Sequence, residues 1–277
     1  MRIAAGIQYR GTAYSGFQEQ SPHPQPLSCK RGRGVSQEIP SIQAALEKAF
    51  SKVANHPLKI ICAGRTDKGV HATGQVIHFD TDIDRTEHAW LCGANLYLPR
   101  DIAVVWIKKT SNDFHARFSA LSRTYRYTIY NSAIRPVLDA EIVTWHFAEL
   151  NLILMQLAAQ HLIGEHDFTS FRGSGCQSKS PRRCIESISI AQQGQYIILE
   201  ITANAFLYHM VRNIVGVLLK IGEGKASTDW PLELLAVCDR KQAAKTAPAS
   251  GLTLISVSYP EAFFVFQKSC PPKSKSL

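Results

Sequence analysis

The segment Ala63–Val76 combines the residue types that a catalytic loop needs. It holds three glycines and one aspartate, Asp67, with a cation on each side at Arg65 and Lys68. Glycine permits a tight backbone path and a close approach to a ligand, and positive charge beside a carboxylate favours its ionised form. Apolar runs that predict strands stand before and after the segment. The pattern therefore predicts an ionised carboxylate on a loop between two strands, as a nucleophile or a general base.

Composition alone leaves other interpretations of this loop open. An aspartate among glycines commonly bonds its own backbone in a turn. Gly64 and Gly69 have the spacing of a phosphate-binding loop, but that motif continues with Lys and Ser or Thr. This chain has Val70 and His71 there, which argues against a phosphate loop.

A second segment, Asn204–Gly216, places a cation among apolar side chains. It predicts the opening of a helix, in which Arg212 lies in an apolar context. A buried cation needs an anionic partner, whereas an arginine at the edge of an apolar face extends its charged end to solvent. The apolar face is formed by Leu207, Met210, Val211, Ile214 and Leu218.

A third segment, Ser122–Tyr130, alternates in the manner of a strand. Tyr125 and Tyr127 share one face with Arg123, and Arg126 lies on the other. Interleaved tyrosines and arginines suit stacking on bases and pairing with phosphates. A half-exposed strand whose tyrosines pack against the core gives the same pattern.

The composition favours a polyanionic partner. The 277 residues carry a formal net charge of +9 and a pI of about 9.2, and 45% of them are hydrophobic, enough for a substantial core. A basic excess of this kind points first to nucleic acid.

Cysteine use indicates a reducing compartment, and the hydropathy pattern indicates no membrane span. Seven cysteines are present, an odd number, with no CxxC pair, so a disulfide framework or a zinc ribbon is not expected. The longest apolar run, Phe206–Ile221, contains His209, Arg212 and Lys220 and is too short and too polar to span a bilayer. With no signal-peptide pattern at Met1–Gly6, we expect a cytoplasmic protein without membrane contact.

Periodicity and cap residues predict the remaining elements. Ser41 and Asn151 are placed to cap helices, and residues 21–38, rich in proline and basic residues, predict a flexible insertion. Residues 269–277 predict a disordered tail. The expected strands are 3–9, 59–62, 75–79, 102–107, 122–130, 184–190, 196–202 and 253–259, and the expected helices begin near residues 42, 89, 151 and 204.

The segment Gly64–His71 resembles the active-site motif of the TruA family of tRNA pseudouridine synthases. Asp67 occupies the place of the catalytic aspartate, and Lys68 stands where the family commonly has alanine. Tyr9–Gln18, Phe114–Phe118 and the helix-opening segment 204–216 also resemble family motifs. The resemblance covers nearly the whole chain outside the insertion and the tail.

This resemblance implies an enzyme that isomerises uridine to pseudouridine in the tRNA anticodon arm, around positions 38 to 40. Such a reaction involves no net redox change or hydrolysis, so no cofactor and no metal are expected. The implied fold is α+β, with two related α/β halves whose antiparallel sheets join into one extended sheet around a cleft. We expect two copies of the chain to form a homodimer. Within each chain we expect an N-terminal half at residues 1–113 and a C-terminal half at residues 114–268.

The resemblance also implies roles for individual residues. Asp67 is expected to be the nucleophile, with Arg212 holding it ionised. Tyr125, Arg65 and Leu252 are expected to contact the substrate nucleotide. The expected tRNA contacts are Arg85, Phe114, His115, Ala116, Arg117, Phe118, Gly175, Cys176, Gln177, Ser178 and Lys179.

Two other function classes compete with this one. A non-catalytic RNA-binding module would share the charge and the aromatic residues, but it has no need for a carboxylate facing RNA phosphates. A zinc-dependent base deaminase requires HxE together with PCxxC, and neither occurs in this sequence.

Overall fold

The computed structural model describes residues 1–18 and 40–263; the predicted insertion at 21–38 and the tail at 269–277 lie outside the described residues. The strands of the described part are β1 (Arg2–Tyr9), β2 (Ile61–Cys62), β3 (His71–Asp80), β4 (Ile102–Thr110), β5 (Ser122–Asn131), β6 (Thr144–His146), β7 (Gly164–Asp167), β8 (Arg182–Gln193), β9 (Tyr196–Ala203) and β10 (Leu252–Ser258). Its α-helices are α1 (Ile42–Ala54), α2 (Glu87–Tyr97), α3 (Leu152–Gln160), α4 (Met210–Gly222) and α5 (Trp230–Val237).

All of these strands belong to one sheet, in the order β4-β1-β3-β10-β5-β9-β8-β7, with β2 beside β3 and β6 beside β5. This confirms the predicted α+β fold with one extended sheet. The strands before and after residue 113 meet where β10 lies parallel to β3, with Thr253 opposite His71. The other parallel pair is β5 with β6, and the remaining pairs are antiparallel. The domain boundary at 113 stays a prediction.

Side-chain caps begin three of the helices, because an oxygen there can satisfy a backbone N–H at the first turn. Ser41 accepts from the N–H of Ala44 at 3.1 Å, and Asn151 accepts from the N–H of Leu154 at 3.2 Å. Both caps were expected from the sequence and are confirmed. The helix predicted from residue 89 begins earlier, at Glu87, where Thr86 provides the cap.

Three predicted boundaries around the functional segments were wrong. The strand expected at 59–62 is reduced to β2, Ile61–Cys62, and β3 already begins at His71, so the loop between them is only 63–70. The helix expected to open at residue 204 begins at Met210. Residues 204–209 instead form the turn that delivers the chain to α4, and the left-handed backbone of His209 ends that turn.

Strand β5 alternates as predicted, but Tyr125 and Tyr127 face the core. Tyr127 is fully buried, and its hydroxyl donates to the carbonyl of Pro248 at 2.8 Å. Arg126 on the opposite face pairs with Glu200 at 2.6 Å. The packing alternative is therefore confirmed for Tyr127, and the expected contact of Tyr125 with the substrate base stays a prediction.

Candidate active site

The loop 63–70 is held to the N-terminal strand and to the segment that follows it. The hydroxyls of Tyr9 and Thr66 lie 2.7 Å apart in the core, and the N–H of Phe17 donates to the carbonyl of Thr66 at 3.0 Å. Gly11 packs so closely that a Cβ there would lie 2.0 Å from the carbonyl oxygen of Val70. These contacts fix the backbone on one side of Asp67, as a site that must hold geometry requires.

Arg212 contacts the Asp67 carboxylate across 145 residues of sequence. Its Nη1 lies 3.3 Å from Oδ2 of Asp67, and its Nε donates to the carbonyl of Ala247 at 2.8 Å. The two side chains are only 15% and 18% exposed. The predicted pairing of Asp67 with Arg212 is therefore confirmed, and it brings the loop after β2 against the first turn of α4.

A third group at the carboxylate was missed by the sequence analysis. Nε2 of His209 lies 3.4 Å from the same Oδ2 of Asp67. His209 precedes Arg212 by three residues, a spacing that places two side chains on one side of a helix. That spacing was the available signal, but it assumes a helix that already includes residue 209, whereas the backbone at His209 is left-handed, with φ of 60°.

Burial, rather than the flanking cations, sets the acidity of Asp67. Desolvation raises the pKa of the Asp67 carboxyl, and His209 in its protonated form and the positive charge of Arg212 oppose this shift. Arg65 and Lys68, which the sequence analysis expected to keep the carboxylate ionised, are both exposed and take no part. That expectation was wrong because neighbours in a tight loop point their side chains in different directions.

Asp67 lies in the wall of an open cleft with a volume of about 550 Å³. This volume is in the range of small-molecule sites in proteins. The walls come from both parts of the chain: Thr12, Asp67, Lys68 and Gly69 from one side, and Ala140, Glu141, Tyr208, His209, Arg212 and Ser250 from the other.

The residues expected to contact the substrate nucleotide lie at different depths, and none of them belongs to the walls of the cleft. Tyr125 is 8% exposed, with its ring at right angles to that of Phe206. Burial raises the pKa of Tyr125, and the charge of Asp67 raises it further, so the phenol stays neutral. Leu252 is buried at the start of β10, and Arg65 is exposed, with Nη1 3.4 Å from Oε1 of Gln177.

The segment 114–118 contains two residues that cannot contact RNA through their side chains. Phe114 and Ala116 are fully buried, in a small core cluster with Ala4 and Ala63. Their assignment as tRNA contacts is corrected by this burial. His115, Arg117 and Phe118 remain at the surface, and Phe118 is 76% exposed, with the Arg117 guanidinium 5.6 Å from its ring centroid.

The loop 173–179 adjoins the cleft from the other side. Arg172 holds its backbone by donating to the carbonyls of Cys176 and Ser178 at 2.7 and 2.8 Å. Burial opposes ionisation of the Cys176 thiol, but the N–H groups of Tyr208 and Ser178 and the charge of Arg172 outweigh it and lower its pKa. Gly175, Gln177 and Lys179 are exposed.

The remaining expectations concern Arg85, metal binding, membrane contact and the cysteines. Arg85 lies half-buried in the connection between β3 and α2, and its role stays a prediction. Within residues 1–18 and 40–263, no three His, Cys, Asp or Glu side chains gather as a metal site would require. No helix in the same ranges has the length and apolar character to cross a bilayer. Cys62, Cys92, Cys176, Cys184 and Cys238 are free thiols.

A family model described as tRNA pseudouridine synthase matches residues 5–119 and 158–260. The chain is 52% identical over 263 residues to a tRNA pseudouridine synthase A of Shewanella woodyi, covering 95% of each chain. The equivalent proteins of Aeromonas salmonicida and Coxiella burnetii are 53% and 48% identical, over 94% and 95% of this chain and 91% and 94% of their own.

Among solved structures, a chain of the "Crystal Structure of a Cbf5-Nop10-Gar1 Complex" covers 79% of this chain and 54% of its own length. Its identity is 10% and its TM-score 0.32, a weak likeness. The family match extends over both the Asp67 loop and the first turn of α4. By that match and by its near full-length relatives, this chain belongs to the tRNA pseudouridine synthase family.

Proposed function

We propose that this chain isomerises uridine to pseudouridine in the anticodon arm of tRNA, around positions 38 to 40, with Asp67 as the nucleophile. The observation that carries the proposal is the contact of 3.3 Å between Asp67 and Arg212 at the wall of an open cleft. A pure RNA-binding module has no use for a desolvated carboxylate among RNA phosphates. The relatives that bear the name tRNA pseudouridine synthase A supply the substrate class.

The chemistry needs a positioned carboxylate and a sheltered base. The target nucleotide is stacked in RNA, so it must turn out of the stack to reach a cleft. The bond between the ribose carbon and the base nitrogen breaks, the uracil turns, and a new bond forms from the same ribose carbon to a base carbon. The proton on that base carbon is lost and the freed nitrogen gains one. Substrate and product therefore have the same composition.

Three residues have distinct roles in this proposed reaction. Asp67 begins the cleavage of the glycosidic bond. Arg212 keeps the buried carboxylate ionised by opposing the desolvation that raises its pKa. Tyr125 is a neutral phenol whose pKa is raised by burial and by the charge of Asp67, and it forms a wall against the extruded uracil.

The exposed groups around the cleft are suited to hold the RNA backbone. Arg123 joins the segment 114–118 to the Asp67 loop, because its guanidinium donates to the carbonyls of Arg117 and Ala63 at 2.6 and 3.2 Å. Arg65 and Gln177 join that loop to the segment 173–179 in the same way. The exposed groups of these segments, which include Arg117, Gln177 and the Phe118 ring, suit phosphates and unstacked bases.

A homodimer in the cytoplasm completes the proposal. The connection between β5 and β6 exposes a group of large apolar side chains, which in a soluble protein commonly marks a contact surface. We assign this surface to a second copy of the chain. Its members are Ile134, Val137, Leu138 and Ile142, with Trp145 and Phe147 beside them. Sedimentation of Leu138→Asp should show monomers where the wild-type chain shows dimers.

The test compares wild-type chain with Asp67→Asn on unmodified tRNA transcripts. The amide keeps the shape of the carboxylate and removes its charge and nucleophilicity. We expect pseudouridine in the anticodon arm with the wild-type chain, a loss of at least about a thousandfold with Asp67→Asn, and similar tRNA affinity for both. Ordinary turnover by Asp67→Asn would contradict the assignment. Tight binding by a wild-type chain that forms no pseudouridine would favour the binding module.

A further inference from the structure

His209 contacts the same carboxylate oxygen as Arg212. The imidazole Nε2 and the guanidinium Nη1 lie 3.4 and 3.3 Å from Oδ2 of Asp67. Among the described residues, the ion pairs and the side-chain hydrogen bond of Asp67 all involve this one oxygen. The other oxygen, Oδ1, is therefore the one left for a ligand in the cleft.

The place of His209 in the backbone does not account for its side chain. Its φ of 60° and ψ of 6° place it in the left-handed region, which non-glycine residues enter rarely and Asn, Asp and His more readily than the others. The residue stands at the N-cap of α4, yet its side chain makes no capping hydrogen bond. The other non-glycine residues with positive φ in the described chain, Asn55 and Cys238, both stand at helix C-caps, where a left-handed residue is common. Helix capping therefore gives no reason for a histidine at this position.

The imidazole is also held in place and kept neutral. Its ring stacks on that of Tyr208, with centroids 3.8 Å apart and planes 25° apart. Burial lowers the pKa of His209; the charge of Asp67 opposes this shift, and the charges of Arg212 and Arg240 add to it. A neutral imidazole that carries its proton on Nε2 offers an N–H to the carboxylate without cancelling its charge, which suits a group that orients Asp67 and leaves its nucleophilicity intact.

We propose that His209 is a positioning residue that, with Arg212, holds Oδ2 of Asp67 and thereby presents Oδ1 to the nucleotide in the cleft. This inference rests on the proposed function. The distance of 3.4 Å is long for a hydrogen bond, and contacts of this kind commonly tighten when the substrate binds. The consequence is that the identity of residue 209 controls the rate of the chemical step and not the affinity for tRNA.

Two substitutions separate this role from a structural one because they change the contact and the backbone in opposite directions. His209→Gln keeps a nitrogen near the position of Nε2 but tolerates a left-handed backbone poorly. His209→Asn suits that backbone but is too short to reach Asp67. Positioning predicts that the Gln variant is the more active; a purely structural role predicts that the Asn variant is.

The experiment measures single-turnover pseudouridine formation at saturating tRNA, together with tRNA affinity and melting temperature. We expect His209→Gln within about tenfold of the wild-type rate and His209→Asn slower by about a hundredfold, with unchanged tRNA affinity and with His209→Asn melting no lower than His209→Gln. An Asn variant as fast as the Gln variant would overturn the inference. A wild-type chain that forms no pseudouridine would overturn the proposed function instead, whatever the variants do.

A measurement on the wild-type chain covers the case in which both variants fold poorly. Nitrogen NMR of histidine-labelled protein reports which ring nitrogen carries the proton. The inference requires His209 to be protonated at Nε2, the atom facing Asp67. A proton on Nδ1 alone, with a bare Nε2 turned to the carboxylate, would contradict it.

Discussion

The two loops that border the cleft are built in opposite ways. The Asp67 loop is tied inward: Thr66 meets Tyr9 in the core, and Val70 packs on Gly11. The loop 173–179 is held by Arg172 and Arg183, which donate to its carbonyls and to the hydroxyl of Ser178, while Gln177 and Lys179 are exposed. The difference separates two tasks. A reacting carboxylate must keep its geometry, whereas groups that receive an RNA backbone must remain accessible to it.

After the loss of Asp67 itself, the largest effect is expected at Arg212, which holds the carboxylate of the Asp67 loop. Arg212→Met removes the cation and keeps an apolar side chain of similar reach. Because Arg212 lowers a carboxyl pKa that burial raises, its loss should raise the pKa of Asp67 further. We expect turnover to fall about a hundredfold or more, and the acid limb of the pH–rate profile to move to higher pH.

Arg212→Lys is the matched control for that prediction. It restores a positive charge but lacks the second nitrogen that donates to Ala247. Its acid limb should lie closer to that of the wild-type chain than the limb of Arg212→Met does. Identical acid limbs in all three proteins would mean that Arg212 does not act through Asp67.

A smaller effect is expected where the rigid loop is tied to the core. Thr66→Val keeps the shape of the side chain and removes the hydroxyl that bonds Tyr9 at 2.7 Å. A lost buried hydrogen bond should lower the free energy of unfolding by about 1–2 kcal/mol and lower turnover with it. Denaturant unfolding checks the first effect and single-turnover kinetics the second.

Thr66→Ser provides the control, since it keeps the hydroxyl and loses only a methyl group. Its turnover should stay near that of the wild-type chain. Equal turnover by the Ser and Val variants would show that the tie between Thr66 and Tyr9 does not hold the Asp67 loop in its active geometry.

The smallest effect is expected in the accessible loop. Lys179→Ala removes one exposed cation, so tRNA affinity should fall a few-fold and the slope of affinity against salt should drop by about one counterion. Turnover at saturating tRNA should not change. Lys48→Ala, which removes an exposed cation on α1, is the control and should change neither. A loss of turnover in Lys179→Ala would place this loop in the chemistry and erase the contrast between the loops.

The parts of this architecture that were predictable are those with a local cause. Ser41 and Asn151 indicated where helices begin, because a capping oxygen bonds a backbone N–H within three residues. The Asp67–Arg212 contact was predictable because each charge was incomplete alone and the family resemblance joined the two. No local rule predicts how the side chains of Asp67 and Arg212 are arranged in space. The sequence analysis expected a lowered pKa for Asp67 because it did not foresee that packing buries the carboxylate.

The parts that failed depend on contacts distant in sequence. Phe114 and Ala116 lie in a segment of mixed composition, and only the packing against Ala4 and Val76 decides that they face inward. His209 was passed over because its left-handed backbone belongs to a turn that periodicity had assigned to a helix. Tyr127 carries an aromatic ring that suits both RNA and a core, and the hydroxyl of Thr144 and the carbonyl of Pro248 decide for the core.

The most direct test of the account is the pKa of Asp67 itself, measured by carbon NMR of the labelled carboxyl group in the free protein. This measurement needs no activity and no RNA. If Arg212 and Asp67 act as one unit across the cleft, the pKa of Asp67 is higher in Arg212→Met than in the wild-type chain. An unchanged pKa would contradict the account, because the contact of 3.3 Å would then carry no electrostatic coupling.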